Sequence, residues 1–466
     1  ASEACQHPGS ARREGRVHDP APPHFFYSTL VAWLVILLLV GVVLARNSIT
    51  RQPAASGPAK SHESRRSLQA DQKLQARYFV GLKSLGLNSS AWSDQIRSKF
   101  QTTTIQQLAL VALLAELDSP ETALAELVGI ETVTDQETQS ADLLNLVLQG
   151  ETLDDDDAQA LVDHLGWFGK LALSQADEAT HEAVLSESIR TAVGLIAVFL
   201  VGMIGILLGL ALASGAVFAA YFGWVAVPKL DGDHGGIYAE TFAVYMSLFL
   251  GVTFLASLSS WGEWSLSINA AAMLLSLVAL AWPRLRGLSW PQMEQDLGLS
   301  IGWLDIPAGL AAYLSVLPLL VVGLCVTLVL MAILGRLGIE YHSPSHPVGE
   351  LAAAGASSWV WGQIFFIACV AAPVVEELFF RGVLYAHLRR IGPSWPMGAR
   401  TAFAVAASSF LFAVIHPQGW LAVPVLSSIA TALALTREWT GRLGAGMIAH
   451  ALNNAVAMLI LMLLVA

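Results

Sequence analysis

The sequence predicts an all-α fold: a polytopic transmembrane helical bundle of eight or nine spans, with a small α-helical soluble domain inserted after the first span. Three observations predict it. Hydrophobic residues make up 55% of the 466 positions and charged residues only 13%, well short of the roughly 25% that a water-soluble surface carries. The apolar residues fall in continuous runs close to the roughly 20 residues a helix needs to cross the hydrocarbon core. None of these runs alternates with period two, and lipid admits only helices and closed barrels, so helices remain.

Residues 1–24 form a polar tail with Arg12, Arg13 and Arg16. The first apolar run, Phe25–Ala45, is long enough to span, whereas the apolar part of a signal peptide runs only about 7–15 residues. Val43-x-Ala45 resembles a cleavage site, but length favours a retained transmembrane helix at 25–45. Residues 46–187 are the only sizeable polar region. Their first part is a basic linker, rich in Ser, Pro and Ala up to residue 62. The remainder is acidic and reads as helical, because IQQLALVALLAEL and ETALAELVGI set apolar residues at spacings of three and four. The run Asp154–Asp157 lacks the Gly and bidentate Glu of a calcium loop and reads as a solvated helix start favoured by the helix dipole.

From residue 188 onward the chain is nearly all apolar. Transmembrane helices are expected over 188–344, with Ile189–Val227 either one tilted helix or a helix plus a re-entrant piece, and others near 240–258, 266–283 and 304–335. More follow near 357–375, 401–416, 420–436 and 443–465. Arg284 and Arg286, and then Arg381, Arg389, Arg390 and Arg400, mark cytoplasmic flanks under the positive-inside rule. Counting back from them, with 189–227 as one crossing, puts residues 46–187 outside.

The net charge of −11 is concentrated between about residues 100 and 187, and no basic run interleaved with aromatics points to nucleic acid. The lipid bilayer is the partner that composition implies. Cys5, Cys325 and Cys369 are too scattered for a disulfide framework or a cysteine metal site. The last two read as small core residues.

An ionisable group inside a membrane segment costs at least about 2.5–3.5 kcal/mol, so the few that occur are informative. In Pro373-Val-Val-Glu376-Glu377-Leu-Phe-Phe-Arg381 two adjacent carboxylates end an apolar run. Glu377 and Arg381 stand at i and i+4 and can pair, while Glu376, rotated about 100° away, points elsewhere. His416 ends the run Phe412-Ala-Val-Ile-His416, with Phe412 on its face. His450 and Asn454 share a face, at i and i+4, inside the last span. Singly, each has a plain structural reading as a membrane-border carboxylate, an interface histidine, or polar side chains joining helices. Together they supply what peptide hydrolysis needs: a carboxylate to take a proton from water, a histidine to share that work, and donors for an oxyanion.

The order EExxxR, FxxxH, HxxxN resembles the CPBP/ABI family of intramembrane proteases, which includes the type II CAAX prenyl endopeptidases and the bacteriocin-processing and immunity proteins. The resemblance covers residues 345–466. It implies that Glu376 and His416 activate water, that His450 and Asn454 form an oxyanion hole, and that Glu377 and Arg381 organise the site. It further implies a glutamate-type endopeptidase with no obligatory cofactor, acting on a membrane-associated or lipidated, CAAX-type protein or on a small peptide precursor. Zinc held by Glu376, His416 and His450 is the alternative, since one Glu and two His form a known catalytic zinc set. The competing functions are a non-catalytic immunity or scaffold protein using the same bundle, and a transporter relaying protons through the buried Glu and His. A transporter predicts inverted internal repeats, and the two halves show no convincing repeat.

Overall fold

The computed structural model describes residues 23–49, 72–87, 103–224, 236–258, 264–339 and 357–465, with positions 92, 96, 97, 99, 100 and 234. Most of the N-terminal tail, the linker over 50–71 and the segment 340–356 lie outside the described residues. So do Cys5 and the position 345 at which the C-terminal segment is expected to begin.

Helix α1 (Pro23–Ile49) is the first span. A group of shorter helices follows: α2 (72–84), α3 (Thr104–Leu117), α4 (Pro120–Leu127), α5 (Asp135–Leu148), α6 (Asp155–Leu165) and α7 (Trp167–Leu173). Helix α3 is buried on all sides from Leu108 to Leu117, so it forms the axis of this group. Around it pack Val80, Phe100, Leu144, Leu161, Phe168 and Leu171 in a core separate from that of the membrane bundle. The Asp154 side chain accepts the Asp157 backbone N–H at 2.9 Å and caps α6.

Helix α8 (Glu178–Tyr221) runs unbroken for 44 residues. Its first turns belong to the soluble core through Val184. Glu187 accepts from Arg77 and, at 3.1 Å, from the Trp167 indole. The remaining spans are α9 (Ile237–Ser257), α10 (Ser265–Leu285), α12 (Asp305–Arg336), α13 (Ser358–Leu388), α14 (Met397–Val414), α15 (Val423–Thr440) and α16 (Gly444–Val465), with a short non-spanning helix α11 (Trp290–Leu297) between α10 and α12. Nine helices among the described residues are long and apolar enough to cross a membrane, and no strand occurs among them.

Two expectations need correction. The span expected to stop near residue 375 continues to Leu388, because the charges that mark its apparent end, Glu377 and Arg381, neutralise each other inside the bundle. Arg381 is therefore no membrane flank. Cys325, expected in the core, lies on the exposed surface of α12, and Cys369 is partly buried.

One end of the bundle is tied by polar contacts. The Asp296 carboxylate on α11 receives Arg390 at 2.6 Å from the end of α13, His234 at 2.9 Å and the Tyr238 hydroxyl at 2.8 Å from the start of α9. Its backbone carbonyl accepts from Arg437 on α15. Nearby, Glu438 holds Arg389 through two hydrogen bonds and also Tyr385, Glu240 holds Arg286 and the Trp282 indole, and Asp305 holds Arg442. Gly298 ends α11 with φ +69°, and a Cβ there would stand 2.7 Å from the Arg437 guanidinium carbon. Starts of α9, α12 and α16 thus meet ends of α10, α13 and α15, so the spans alternate in direction. The start of α1 joins the same end, since a Cβ on Gly236 would collide with Thr29. The soluble helices, between the end of α1 and the start of α8, consequently lie at the opposite face from these arginines.

Burial disfavours ionisation of Asp296, but the His234 hydrogen bond, the Arg390 charge and the Tyr238 hydroxyl together hold its pKa below the usual carboxylate range. That depressed pKa contributes stability that is present above the unfolded-state pKa and lost as pH falls through the folded value. Asp296→Asn is expected to cost about 3 kcal/mol, the scale for removing one partner of a buried pair. Thermal unfolding in detergent at neutral pH reads the loss, and the gap from wild type narrows on acidification.

Candidate active site

The chemistry-bearing side chains converge where α13, α14 and α16 meet. Helix α13 is irregular here. Ile367–Ala371 and Glu377–Leu384 are wound as π-helix, and one regular turn, Ala372–Glu376, stands between them. Pro373 lies in that turn, and a proline has no N–H to give the helix ladder. Wider turns of this kind are uncommon and recur at functional sites. They place Glu376 at the junction of the two forms.

Glu377 is fully buried. Its Oε1 accepts from Arg381 Nη1 at 2.9 Å and from His450 Nδ1, also at 2.9 Å. A carboxylate only accepts, so the imidazole presents its Nδ1–H. The other face of the same ring, Nε2, stands 3.7 Å from Glu376 Oε2. His416 has the same polarity by different means. Its Nδ1 donates to the Phe412 carbonyl at 2.6 Å, and its Nε2 stands 3.9 Å from the same Glu376 oxygen. Both imidazoles are thus held at Nδ1 and turned by Nε2 toward one carboxylate oxygen. Glu377 Oε2 has no hydrogen-bond partner, and a Cβ on Gly446 would stand 3.1 Å from it, so Gly446 leaves that oxygen its room.

Phe412 is the platform beneath these groups. Its ring lies 4.1 Å from the His416 ring, 6.2 Å from that of His450 and 5.1 Å from that of Phe380, and the Arg381 guanidinium sits over it at 4.5 Å. A guanidinium over an aromatic face gains cation–π attraction, about 2 kcal/mol where desolvated.

Of the six residues the sequence singles out, the structure brings Glu376, Glu377, Arg381, His416 and His450 into one network. Asn454 is placed otherwise. Its amide donates to the Ala368 carbonyl at 2.7 Å, inside the first π segment, and its own oxygen accepts from Asn453. It is fixed to the backbone of α13 one turn or more ahead of Glu376. Phe412, which the FxxxH motif names without a role, and Gly446, which no motif includes, are the further contributors. Phe412 carries a signal, standing four residues before His416, whereas Gly446 has none.

The three groups weighed as zinc donors meet at Glu376 Oε2, 3.7 Å from His450 Nε2 and 3.9 Å from His416 Nε2, and no metal-binding group of three ligands forms among the described residues.

A buried ion pair gains little over an apolar pair but is costly to break. Glu377→Leu, which strands the Arg381 charge, is expected to destabilise the protein by about 3 kcal/mol. The double variant Glu377→Leu/Arg381→Met is expected to recover most of that. A double-mutant cycle on unfolding temperatures in detergent checks it, and equal losses in both variants would refute the pairing as the reason for the burial.

No curated protein and no solved structure matches the chain. Residues 357–456 match the family model described as Rce1-like, type II CAAX prenyl endopeptidase Rce1-like. That stretch, which is similar to the Rce1-like family, holds the three motifs and every side chain of the network just described.

Proposed function

We propose that this protein is an intramembrane endopeptidase of the CAAX type, in which Glu376 and His416 activate water against a peptide carbonyl. The observation that carries the reading is the convergence of two imidazole Nε2 atoms on one oxygen of Glu376, with each ring locked from behind by an acceptor at Nδ1.

A substrate water lying between Glu376 and His416 has two basic atoms to donate to. Glu376 takes its proton as the oxygen attacks the scissile carbon, and the carbonyl electrons move onto oxygen. His450 faces the same point. For its Nε2 to donate to the oxyanion while Nδ1–H is given to Glu377, the ring must carry both protons, and the Glu377 carboxylate is the counter-charge to that form. One amide N–H of Asn454 is given to Ala368, and the second is the donor it contributes to the oxyanion. Collapse of the intermediate breaks the C–N bond, with the proton on Glu376 passing to the leaving amine. Each donor that meets the charge only as it develops lowers the barrier selectively.

The substrate class follows from the family and the setting. A lipidated C-terminal tail enters through lipid, and the peptide bond reaches a carboxylate in the middle of α13. The arginine-bearing face is assigned to the cytoplasm under the positive-inside rule, which puts residues 72–187 on the other side. The same site would serve a small peptide precursor anchored in the bilayer.

In protein reconstituted into liposomes and assayed on a panel of prenylated and unprenylated peptides, Glu376→Ala and His416→Ala are expected to lose cleavage by at least about 100-fold while keeping the wild-type unfolding temperature. Full activity in either variant would sink the reading. Cleavage is expected to survive exhaustive dialysis against chelator. Activity lost on dialysis and restored only by zinc would replace the glutamate-type mechanism with a metal one.

A further inference from the structure

Helix α9 carries a side chain facing the site that no motif marks. Phe242 on α9 packs edge-on against Phe380 on α13, with ring centroids 5.2 Å apart. The two helices run in opposite directions, so moving one turn up from that contact advances α9 from Phe242 to Tyr245 and takes α13 back from Phe380 to Glu376. Tyr245 is held at this level by stacking flat on Phe379, with centroids 3.9 Å apart and planes inclined by 11°. Phe249 adds a looser parallel contact on α9 itself.

The hydroxyl of this tyrosine differs from those of the other two buried tyrosines among the described residues. Tyr238 donates to Asp296 at 2.8 Å and Tyr385 to Glu438 at 2.6 Å, and both serve the polar knot at the bundle end. Among the described residues Tyr245 has no hydrogen-bond partner, and the charge that acts on its hydroxyl is that of Glu376. Its ring is buried among aromatics. Tyrosine hydroxyls on buried rings usually find a partner. The register set by the Phe242–Phe380 contact brings Tyr245 level with Glu376. A carbonyl attacked by water that Glu376 activates has to lie within about 3 Å of that water, at the level of α13 that Tyr245 reaches from α9.

We propose that Tyr245 is a further catalytic residue, its hydroxyl donating to the scissile carbonyl oxygen as that oxygen becomes an oxyanion. This rests on the peptidase reading above. The sequence contains no signal for it, because Tyr245 sits in a span without any motif and its role depends on the register of α9 against α13.

The test uses the full chain reconstituted into liposomes, with wild type, Glu376→Ala, Tyr245→Phe and Tyr238→Phe assayed on the peptide panel. Tyr245→Phe keeps the ring stack and deletes only the donor. It is expected to lower kcat by about 100-fold, the scale for losing one oxyanion donor, with KM within about twofold and the unfolding temperature unchanged. Tyr238→Phe is expected to lower the unfolding temperature and leave kcat in place. Wild-type kcat in Tyr245→Phe, a defect confined to KM, or a loss that tracks a fall in unfolding temperature would each overturn the assignment. A wild-type protein inactive on the whole panel would instead remove the peptidase reading, and the inference with it.

Discussion

The arrangement of the site depends on one buried oxygen. Glu377 Oε1 takes Arg381 from its own helix and His450 from α16, and both hydrogen bonds are charge-assisted or become so when the ring is doubly protonated. In lipid a lone carboxylate or guanidinium would carry a desolvation cost of several kcal/mol, so each of these groups is tolerable only while the others stay in place. The pair fixes the rotation of α13, and the adjacent Glu376 is thereby turned toward the two imidazoles. Glu376 is thus oriented by its neighbour Glu377. Arg381 is steadied in turn by the Phe412 ring, which also supports His416, so three helices share one set of constraints.

The π segments supply what a regular helix does not. A wider turn shifts every later side chain around the axis and leaves backbone carbonyls less tightly bound within the helix. Asn454 takes the Ala368 carbonyl from the first such segment, which ties α16 to α13 upstream of Glu376, while His450 ties it downstream through Glu377. Glu376 therefore sits between two cross-helix clamps made by residues four apart on a single helix face. The HxxxN spacing thus has a structural reason.

The spans were legible in the sequence because lipid forbids the exceptions that blur patterns in water. The i, i+4 relation of Glu377 and Arg381, and the separation of Glu376 from them, were also legible, because helix geometry fixes both. The end of α13 was misjudged for the same reason that its interior works. A span boundary is read from charge, and a charge cancelled inside the bundle still reads as charge. What lay beyond local reading was the choice of partner across helices. Nothing in the sequence distinguishes which imidazole nitrogen of His450 meets Glu377, seats Asn454 on Ala368, or brings Tyr245 level with Glu376. Those are matters of register between elements dozens of residues apart. The Asp296 knot is not read from the sequence because its members are scattered over four helix ends, and each alone looks like an ordinary membrane flank.

The long helix α8 sets the relation between the soluble helices and the bundle. It runs unbroken, without a proline, from the Glu187 contacts into the membrane, and the close approach that follows is specific. A Cβ on Gly209 would collide with the Leu314 carbonyl, and one on Gly205 would stand 2.7 Å from the Leu317 side chain. Small residues that let backbones touch are the usual means of joining helices in lipid, where apolar side chains gain nothing by leaving the solvent. Helix α12 repeats the device on its other faces, with Gly309 against Ile448 and Gly323 against Ser428. A contiguous chain of glycine-mediated contacts thus runs from the soluble core through α8 and α12 to α16, reaching it two residues from His450. Glycine contacts tolerate sliding along the helix axis far less than interdigitated leucines do, because displaced backbones collide. The height of His450 relative to Glu377 is consequently set from outside the motif-bearing segment as well as within it.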